Sequence, residues 1–480
     1  MPKSIKKNYI YNLIQQMLAL LTPLVTTPYI SRVIGVEGIG IYSYTSSVVS
    51  YFALFAALGM VSYGQREISY VQDNQEKRTI VFWNTVFRSF ITTFVSLVAY
   101  AIFIYFQNGY RLIFAILSIS IIEVALNITW LFSGMEEFGK IVKRNIIVRI
   151  LNIAFIFLFV KKAEDLPLYV LGVTAVMGIG HLSLWPYLPK YVGLPKLKNI
   201  HPFHDFKTVI TLFIPTIAIS IYTVLDKTMI GILTSNPAEN GYYEQAIKIS
   251  RISLTFVTAL GTVMIPRIGA LFAKNDLRQI QDYMYKSYRF VCFLGVPFCL
   301  GIVATSSNFV PWFFGPGFDS VIPVLNTLSF VIIAIALSNV TGIQYLVPTR
   351  RQNYLTLSVI IGAFVNFGFN LIVIPVWGAF GAACASVVAE FCVTAVQLVF
   401  VRKEISCFAI VKNSVKYLFA GGLMFAILST IGKNLSPSMI HTSILIGVGA
   451  ITYAFVLFVL QDKFFIRNVL NIWERVRNAV

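Results

Sequence analysis

Apolar stretches of about 20 residues repeat along the whole chain, and short polar segments separate them. A helix of that length crosses a hydrocarbon core about 30 Å thick. The pattern predicts fourteen transmembrane helices, at residues 9–30, 39–61, 80–106, 111–133, 146–160, 168–189, 208–234, 250–273, 289–312, 322–347, 354–377, 379–401, 416–432 and 442–461. The sequence therefore predicts an all-α polytopic membrane protein.

The basic residues alternate from one connecting segment to the next. If the amino terminus lies in the cytoplasm, most of the 38 Lys and Arg residues fall on the internal side. The external segments are then predicted to carry Arg32, Arg111, Lys161, Lys162, Lys248, Arg251 and Lys433. Because basic loops stay on the cytoplasmic side, both termini are predicted to be cytoplasmic.

The chain has the pattern of two similar halves. Residues 190–207 form the longest internal segment and lie near the middle. Each half opens with proline, then a charged residue, then a Gly-x-Tyr sequence, at Gly40 and at Gly241. A parallel repeat of this kind places a cavity between two bundles. We expect two pseudo-symmetric six-helix lobes around a central cavity, at 1–195 and 196–401, and two further spans with a cytoplasmic tail at 402–480.

Composition excludes several function classes. The chain is 57% hydrophobic and 12% charged, and its net charge of +18 is spread over many short clusters, which argues against a nucleic-acid surface. The five cysteines have no metal-ligand spacing, and the four histidines (His181, His201, His204 and His441) have no constellation of other ligands around them, so neither a metal site nor a proton relay by histidine is expected. There is no phosphate-binding loop motif. We expect no cofactor, and coupling to a proton, sodium or substrate gradient.

Ionisable residues at membrane depth are the candidates for a function, because each costs about 2.5–3.5 kcal/mol to insert. The candidates are Arg88, Glu123, Arg149, Asp226, Lys227, Arg267 and Glu390. Basic side chains outnumber acidic ones, and arginine matches phosphate oxygens with two parallel donors. The alternatives are snorkelling to the interface for Arg149, Asp226, Lys227 and Arg267, and internal ion pairs for Arg88, Glu123 and Glu390.

Several short motifs add a resemblance. They are Pro28-Tyr29-Ile30-Ser31-Arg32 with Gly35, Tyr63-Gly64-Gln65-Arg66-Glu67, Gly134-Met135-Glu136-Glu137-Phe138, and Gly241-Tyr242-Tyr243-Glu244. In order and spacing they resemble the polysaccharide-transport flippases of the multidrug/oligosaccharidyl-lipid/polysaccharide (MOP) superfamily. The resemblance makes Arg32, Gly35, Arg66, Glu67, Gly241 and Tyr242 the family-motif residues.

The resemblance implies a function. Such a protein would move undecaprenyl-diphosphate-linked oligosaccharide repeat units from the cytoplasmic to the outer leaflet of the bacterial inner membrane, for capsule, O-antigen or a related polymer. Its expected partners are the lipid-linked glycan, membrane lipid and polymerase or assembly proteins of the same pathway. It would work as a monomer by alternating access.

Three alternatives stay open. Fourteen spans also fit a peptidoglycan-precursor (lipid II) flippase. A cation-coupled multidrug exporter of the same superfamily would favour carboxylates over the basic excess seen here. A membrane enzyme such as a polymerase usually needs a large external loop, and every predicted external segment is about 20 residues or shorter. The prediction is therefore a transporter and not an enzyme.

Overall fold

The computed structural model describes residues 5–194, 198, 200–259 and 261–467, and within them the chain is helical without strands. The fifteen α-helices are α1 Ile5–Ala57, α2 Met60–Tyr70, α3 Gln75–Phe106, α4 Arg111–Leu126, α5 Thr129–Gly134, α6 Phe138–Phe159, α7 Leu166–Leu182, α8 Phe206–Leu233, α9 Pro237–Thr258, α10 Gly261–Ala273, α11 Leu277–Phe314, α12 Val321–Thr341, α13 Gln352–Val401, α14 Cys407–Gly432 and α15 Met439–Val459. The predicted all-α class is confirmed.

Two glycines break the two longest helical segments. Gly35 in α1 has φ 74° and ψ 173°, and Gly378 in α13 has φ 52° and ψ −129°. A positive φ is accessible to glycine at little cost because it has no Cβ. The breaks fall between the predicted spans 9–30 and 39–61 and between 354–377 and 379–401, so each long segment contains two predicted spans.

Nine helical segments among the described residues are long and apolar enough to cross a membrane, and two of them are those that break at Gly35 and Gly378. Their large apolar side chains are widely exposed, for example Phe94 (68%), Phe364 (73%) and Ile451 (71%). Water would disfavour such a surface, whereas lipid solvates it. The chain is a multi-pass membrane protein, and the count of fourteen spans is consistent with this structure.

Helix ends differ from the prediction where charged turns extend an apolar span. Helix α9 begins at Pro237, so Lys248 and Arg251 lie in a helix and not in the predicted external loop. Helix α11 likewise begins at Leu277, twelve residues before the predicted span. A helix continues through polar sequence because its backbone hydrogen bonds do not depend on side-chain polarity. Hydropathy marks the apolar part of such a helix only.

Contacts between Cα atoms divide the chain into two compact units, Met1–Gly241 and Tyr242–Val480. In the first unit α1 packs against α3, α4, α6 and α8, and α4 packs against α7. In the second, α11 packs against α12, α14 and α15, and α12 packs against α13. The first unit includes α8, which the sequence assigned to the second lobe. The predicted lobe boundary at 195 and 196 and the end of the predicted tail lie outside the described residues.

Polar side chains of α3 hold the connector that precedes α8. Arg78 Nε donates to Tyr191 O (2.7 Å) and Trp83 Nε1 donates to Gly193 O (3.0 Å). Thr79 Oγ1 accepts from Gly193 N (2.9 Å), and Asn84 Oδ1 accepts from His201 N (2.7 Å). These bonds go to backbone groups that would otherwise need water. The connector is therefore bonded along α3.

Candidate functional site

Arg88 is almost fully buried, with 1% of its surface exposed. Its Nε donates to the carbonyl oxygen of Pro202, and its guanidinium carbon lies 4.9 Å from the centre of the Tyr63 ring. The Tyr63 hydroxyl in turn donates to Asp205 Oδ2 at 2.9 Å. A carbonyl and a ring face together stabilise a buried cation. Arg88 thus joins α3 to α2 and to the connector within the first unit.

Arg149 and Arg267 have local partners as well. Arg149 Nη1 donates to Leu18 O (2.8 Å) and to Thr22 Oγ1 (3.2 Å), which joins α6 to α1. Arg267 is exposed on α10, with its guanidinium carbon 4.7 Å from the Tyr283 ring centre. Arg149 is therefore bonded to the amino-terminal part of α1, while Arg267 keeps its charge accessible.

Asp226 and Lys227 lie on α8, next to a small hydroxyl network. Thr228 Oγ1 is 2.9 Å from Ser47 Oγ and 3.1 Å from Tyr51 Oη, both on α1. Asp226 is buried and Lys227 is half-buried. Neutral hydroxyls beside these two charged residues make a polar strip along the α1–α8 contact inside the first unit. Sequence reasoning missed the hydroxyls because serine and threonine carry no charge signal.

Glu390 lies half-buried on α13, and its backbone oxygen accepts a hydrogen bond from Thr394 Oγ1. Neutral polar groups lie on the same helix: Asn370 Nδ2 donates to Asn366 Oδ1 at 3.1 Å, and Ser386 Oγ is 3.1 Å from Tyr243 Oη. Buried amides and hydroxyls are costly in lipid unless they are bonded. The second unit therefore holds a polar interior that sequence charge alone did not reveal.

Glu123 lies on α4 and shares its surroundings with Arg144 of α6 and His181 of α7. The charge of Arg144 acts on both Glu123 and His181. Arg144 and His181 are each 8% exposed. His181 therefore lies within electrostatic reach of Arg144, 37 positions earlier in the chain, and the expectation that the histidines form neither a metal site nor a proton relay stays a prediction.

The glycines that open the two Gly-x-Tyr sequences, Gly40 and Gly241, are explained by close backbone approach. A Cβ at Gly40 would lie 1.8 Å from Pro237 O, and a Cβ at Gly241 would lie 2.2 Å from Val36 O. Only glycine leaves room for such an approach. Tyr242 follows Gly241 and is half-buried. The two matching sequence motifs thus contribute one glycine each to the same backbone contact.

The internal motif forms an ion pair beside a polar cavity. Arg66 Nη2 lies 2.7 Å from Glu67 Oε1, and Arg32, by contrast, is exposed and donates to Pro28 O at 2.9 Å. The cavity has a volume of about 640 Å³. It is lined by Ser62, Gln65, Arg66, Ser69, Gln72, Ser133, Gly134, Glu136 and Phe138. Hydroxyls, amides and one ring are groups that can contact a sugar.

A fully bonded ion pair in the second unit joins the residue before α13, Arg351, to Glu404 in the turn after α13. Arg351 Nη1 donates to both carboxylate oxygens of Glu404 at 2.8 and 2.9 Å, and the Tyr345 hydroxyl donates to Oε2 at 2.5 Å. Burial alone would raise the pKa of Glu404. The hydrogen bonds from Arg351 and Tyr345 outweigh burial and hold that pKa below its ordinary value.

The structure places the seven sequence candidates in several locations. Arg88, Glu123, Arg149, Asp226 and Lys227 belong to the first unit, and Arg267 and Glu390 belong to the second. Within the first unit, Arg88, Glu123 and Arg149 each have different neighbours. Their roles as cavity residues stay predictions.

The family match and the similar proteins point to the same family. Residues 5–272 match the model of a family described as polysaccharide biosynthesis protein. A protein of Escherichia coli (strain K12) that bears the name of an O-antigen transporter is 24% identical over 416 residues, which cover 84% of this chain and 97% of that protein. A protein of Haloferax volcanii, named as a low-salt glycan biosynthesis flippase, is 24% identical over 380 residues, which cover 75% and 77%.

Solved structures show the fold. The lipid II flippase MurJ in an inward closed conformation aligns with a TM-score of 0.71 at 15% identity, over 95% of this chain and 99% of that one. An inward-facing multidrug resistance transporter of the MATE family, in the MOP superfamily, aligns with a TM-score of 0.60 at 12% identity, over 87% and 96%. The fold is that of the MOP superfamily.

Proposed function

Because the chain belongs to the polysaccharide biosynthesis protein family and has a MOP fold, we propose that it translocates undecaprenyl-diphosphate-linked oligosaccharide repeat units. The units would pass from the cytoplasmic to the outer leaflet of a bacterial inner membrane, by alternating access and with both termini cytoplasmic. The observation that carries the proposal is the match over 84% of the chain to a protein named as an O-antigen transporter.

Moving a glycan across a membrane requires a polar path, which a helical membrane protein can provide. A glycan carries many hydroxyls, each costing several kcal/mol to move without hydrogen bonds into hydrocarbon, so unaided passage is negligible. A polar path inside a helical membrane protein removes that cost. The hydroxyls and amides beside Arg66 and along α8 are groups of the required kind.

The anionic diphosphate needs a cation. Arg88 and Arg149 already donate to backbone carbonyls inside the first unit, which favours a structural role for both. Half-buried Lys227, on α8 beside the hydroxyls of Ser47, Tyr51 and Thr228, is the cation that we assign to the diphosphate.

The test is transfer in proteoliposomes. A fluorescent lipid-linked repeat unit placed in one leaflet should become accessible to an added glycosidase in the other only when the protein is present. The same assay with lipid II and with a cationic dye tests the two alternatives. Transfer of lipid II or of the dye, with the repeat unit left in place, would refute the proposed substrate.

The residue assignment has its own test. Lys227→Ala should lower the initial transfer rate about tenfold, since one charge-assisted hydrogen bond to phosphate contributes on the order of 1.5 kcal/mol. Lys162→Ala removes an exposed lysine and is the matched control, with no expected change. Equal rates in the two variants would exclude Lys227 from headgroup binding.

A further inference from the structure

The sequence motif on α2 and the motif that follows α5 line one polar cavity of about 640 Å³ in the first unit, here called the α2–α5 cavity. Two glycines bring the helices together. A Cβ at Gly134 would lie 2.8 Å from Gln65 O, and a Cβ at Gly64 would lie 2.5 Å from the Trp130 ring. Because only glycine leaves room for these approaches, both motifs are needed to set the walls of the cavity.

Helix α2 turns one face to the cavity and packs with the other. Its lining residues follow the spacing i, i+3, i+4 and i+7, which places them on one side of a helix. They are Ser62, Gln65, Arg66 and Ser69. Tyr63, Gly64 and Ile68, between them in sequence, are buried. The polar face of α2 is therefore held toward the cavity by the packing of its buried face.

The cavity wall has hydrogen-bonding capacity that the described residues do not use. The side chains of Ser62, Gln65 and Ser133 make no hydrogen bond to another described residue. Each hydroxyl can donate and accept, and the amide has two donors and one acceptor. Gln72, also in the wall, has its Nε2 fixed by donation to Gly134 O at 2.6 Å. A ligand rich in hydroxyl groups would find both donors and acceptors here.

Glu136 gives a second, independent indication of a ligand site. Its φ is 56°, in the left-handed region that glycine adopts at little cost and that other residues rarely adopt. Its amide donates to Ser133 O at 3.0 Å, which holds the strained turn against the end of α5. The side chain is exposed and lines the cavity. A strained residue where glycine would suit the backbone better indicates a use for the side chain.

Three classes of ligand fit the lining poorly. Arg66 Nη2 already pairs with Glu67 Oε1 at 2.7 Å, and the Glu136 carboxylate would repel an anionic diphosphate. The part of the chain that the structure describes holds no group of three acidic, cysteine or histidine side chains suited to a metal ion. A hydrocarbon chain would remove water from serines and glutamines without replacing its hydrogen bonds. The class that remains is a neutral polar ligand.

A neutral sugar matches the lining in several respects. Its hydroxyls both donate and accept, as the serine and glutamine side chains do. A carboxylate such as that of Glu136 accepts strong hydrogen bonds from hydroxyls. The face of an aromatic ring carries partial negative charge, so Phe138 can pack against the C–H groups of a sugar ring. The volume also lies within the range of about 300–1,000 Å³ that is typical of ligand pockets.

We propose that the α2–α5 cavity is a recognition site for a neutral sugar of the glycan, at which the protein selects the repeat unit before moving it. Ser62, Gln65 and Glu136 bond to the sugar hydroxyls, and Phe138 packs against the sugar ring. The diphosphate, assigned to Lys227 of α8, is bound elsewhere. The selecting role rests on the proposed glycan transfer, whereas sugar binding does not.

Sugar binding is measured on the purified full chain in lipid nanodiscs. The probe is the oligosaccharide released from the lipid-linked repeat unit by hydrolysis of its diphosphate, fluorescently labelled and followed by anisotropy. Gln65→Ala should raise its dissociation constant about three- to tenfold, the effect of one neutral hydrogen bond. Gln75→Ala, an exposed glutamine at the start of α3, is the matched control and should bind like wild type.

Two results of this measurement would overturn the site. One is an equal dissociation constant for Gln65→Ala and Gln75→Ala. The other is displacement of the oligosaccharide by an excess of inorganic pyrophosphate, because a cavity that binds the headgroup would bind that anion. Retention of the oligosaccharide in pyrophosphate, with weaker binding by Gln65→Ala alone, supports the sugar site.

Glu136→Gly separates a binding role from a structural one. Glycine relieves the left-handed backbone, so the variant should unfold at the wild-type temperature or above it, and yet bind the oligosaccharide about three- to tenfold more weakly. Asn275→Gly is the matched control: Asn275 is exposed, has φ 58° and lies in the turn after α10. Equal binding by the two variants, or a loss of binding together with stability, would exclude the Glu136 carboxylate from sugar binding.

Selection is measured by transfer of the lipid-linked glycan in proteoliposomes. Gln65→Ala should need about three- to tenfold more glycan for half-maximal rate at an unchanged maximal rate, since recognition precedes movement. If wild type binds the oligosaccharide but moves no glycan, the proposed function fails while the sugar site stands. If wild type moves the glycan and Gln65→Ala matches Gln75→Ala in binding and transfer, the sugar site fails while the proposed function stands.

Discussion

Arg88 and Arg144, two arginines buried in the first unit, differ in the groups that meet their charge. Arg88 donates to a carbonyl and lies against a tyrosine ring. Arg144 lies near a carboxyl group and an imidazole. Each arginine has one nitrogen, Arg88 Nη1 and Arg144 Nε, without a hydrogen-bond partner among the described residues. Both side chains are buried, so burial alone does not distinguish a structural arginine from a functional one. The type of partner does, because a backbone carbonyl cannot change its charge and a carboxyl group can.

The largest effect on stability is expected when Arg88, the arginine bonded to a backbone carbonyl, is replaced. Arg88→Ala leaves the Pro202 carbonyl without its buried donor, empties the space against the Tyr63 ring, and should lower the free energy of unfolding by about 3 kcal/mol. Thermal unfolding of the detergent-purified protein measures it. Lys77→Ala, exposed on the same helix, is the control and should unfold like wild type. An Arg88→Ala protein as stable as this control would show that Arg88 is not structural.

Glycine substitutions on α7 should give the next largest effect. A Cβ at Gly180 would lie 2.4 Å from Val148 Cγ2, a buried branched side chain, whereas a Cβ at Gly178 meets Glu123 at an ordinary 3.6 Å. Gly180→Ala should destabilise by about 1–3 kcal/mol. Gly178→Ala should be neutral or up to about 1 kcal/mol more stable. Equal unfolding temperatures for the two variants would contradict the packing described around α7.

The Arg351 ion pair is a benchmark for a carboxylate that is fully bonded. Arg351→Ala removes the guanidinium that donates to both carboxylate oxygens of Glu404. The free energy of unfolding should fall by about 1–2 kcal/mol, since the pair is partly exposed. Arg402→Ala, an exposed arginine near Glu404, is the control. If Arg351→Ala lowered the free energy of unfolding no more than Arg402→Ala does, the bidentate geometry would add no stability.

The smallest expected effect is on pH dependence. The pKa of Glu404 lies below its ordinary value, so its contribution to stability is present above that ordinary value and is lost as the pH falls through the pKa of the folded protein. Wild type should therefore unfold at a higher temperature than Glu404→Gln at neutral pH. The difference should shrink below about pH 4.3. A difference that stays constant across this range would exclude the carboxylate charge as its cause.

The sequence predicted the fold better than the roles of single residues. Apolar length and the glycines at 35 and 378 mark the membrane helices because both signals are local. The hydrogen-bond partner of Arg88 is a backbone oxygen 114 positions away in the chain, and no pattern of side chains predicts that contact. Glu123, Arg144 and His181 belong to three predicted elements, and only the packing of α4, α6 and α7 brings them together. The neutral network of Ser47, Tyr51 and Thr228 carries no charge or motif signal.

The connector along α3 has a consequence for how its sequence can vary. Its hydrogen bonds to Arg78, Thr79, Trp83 and Asn84 come from main-chain atoms of Tyr191, Gly193 and His201. Amino acids can therefore be exchanged in the connector while its path stays the same, because every residue type offers the same carbonyl and all but proline the same amide. An inserted or deleted residue would instead shift every later amide away from its partner on α3. Among homologues, the length of the connector should accordingly be conserved more strictly than its amino-acid identities.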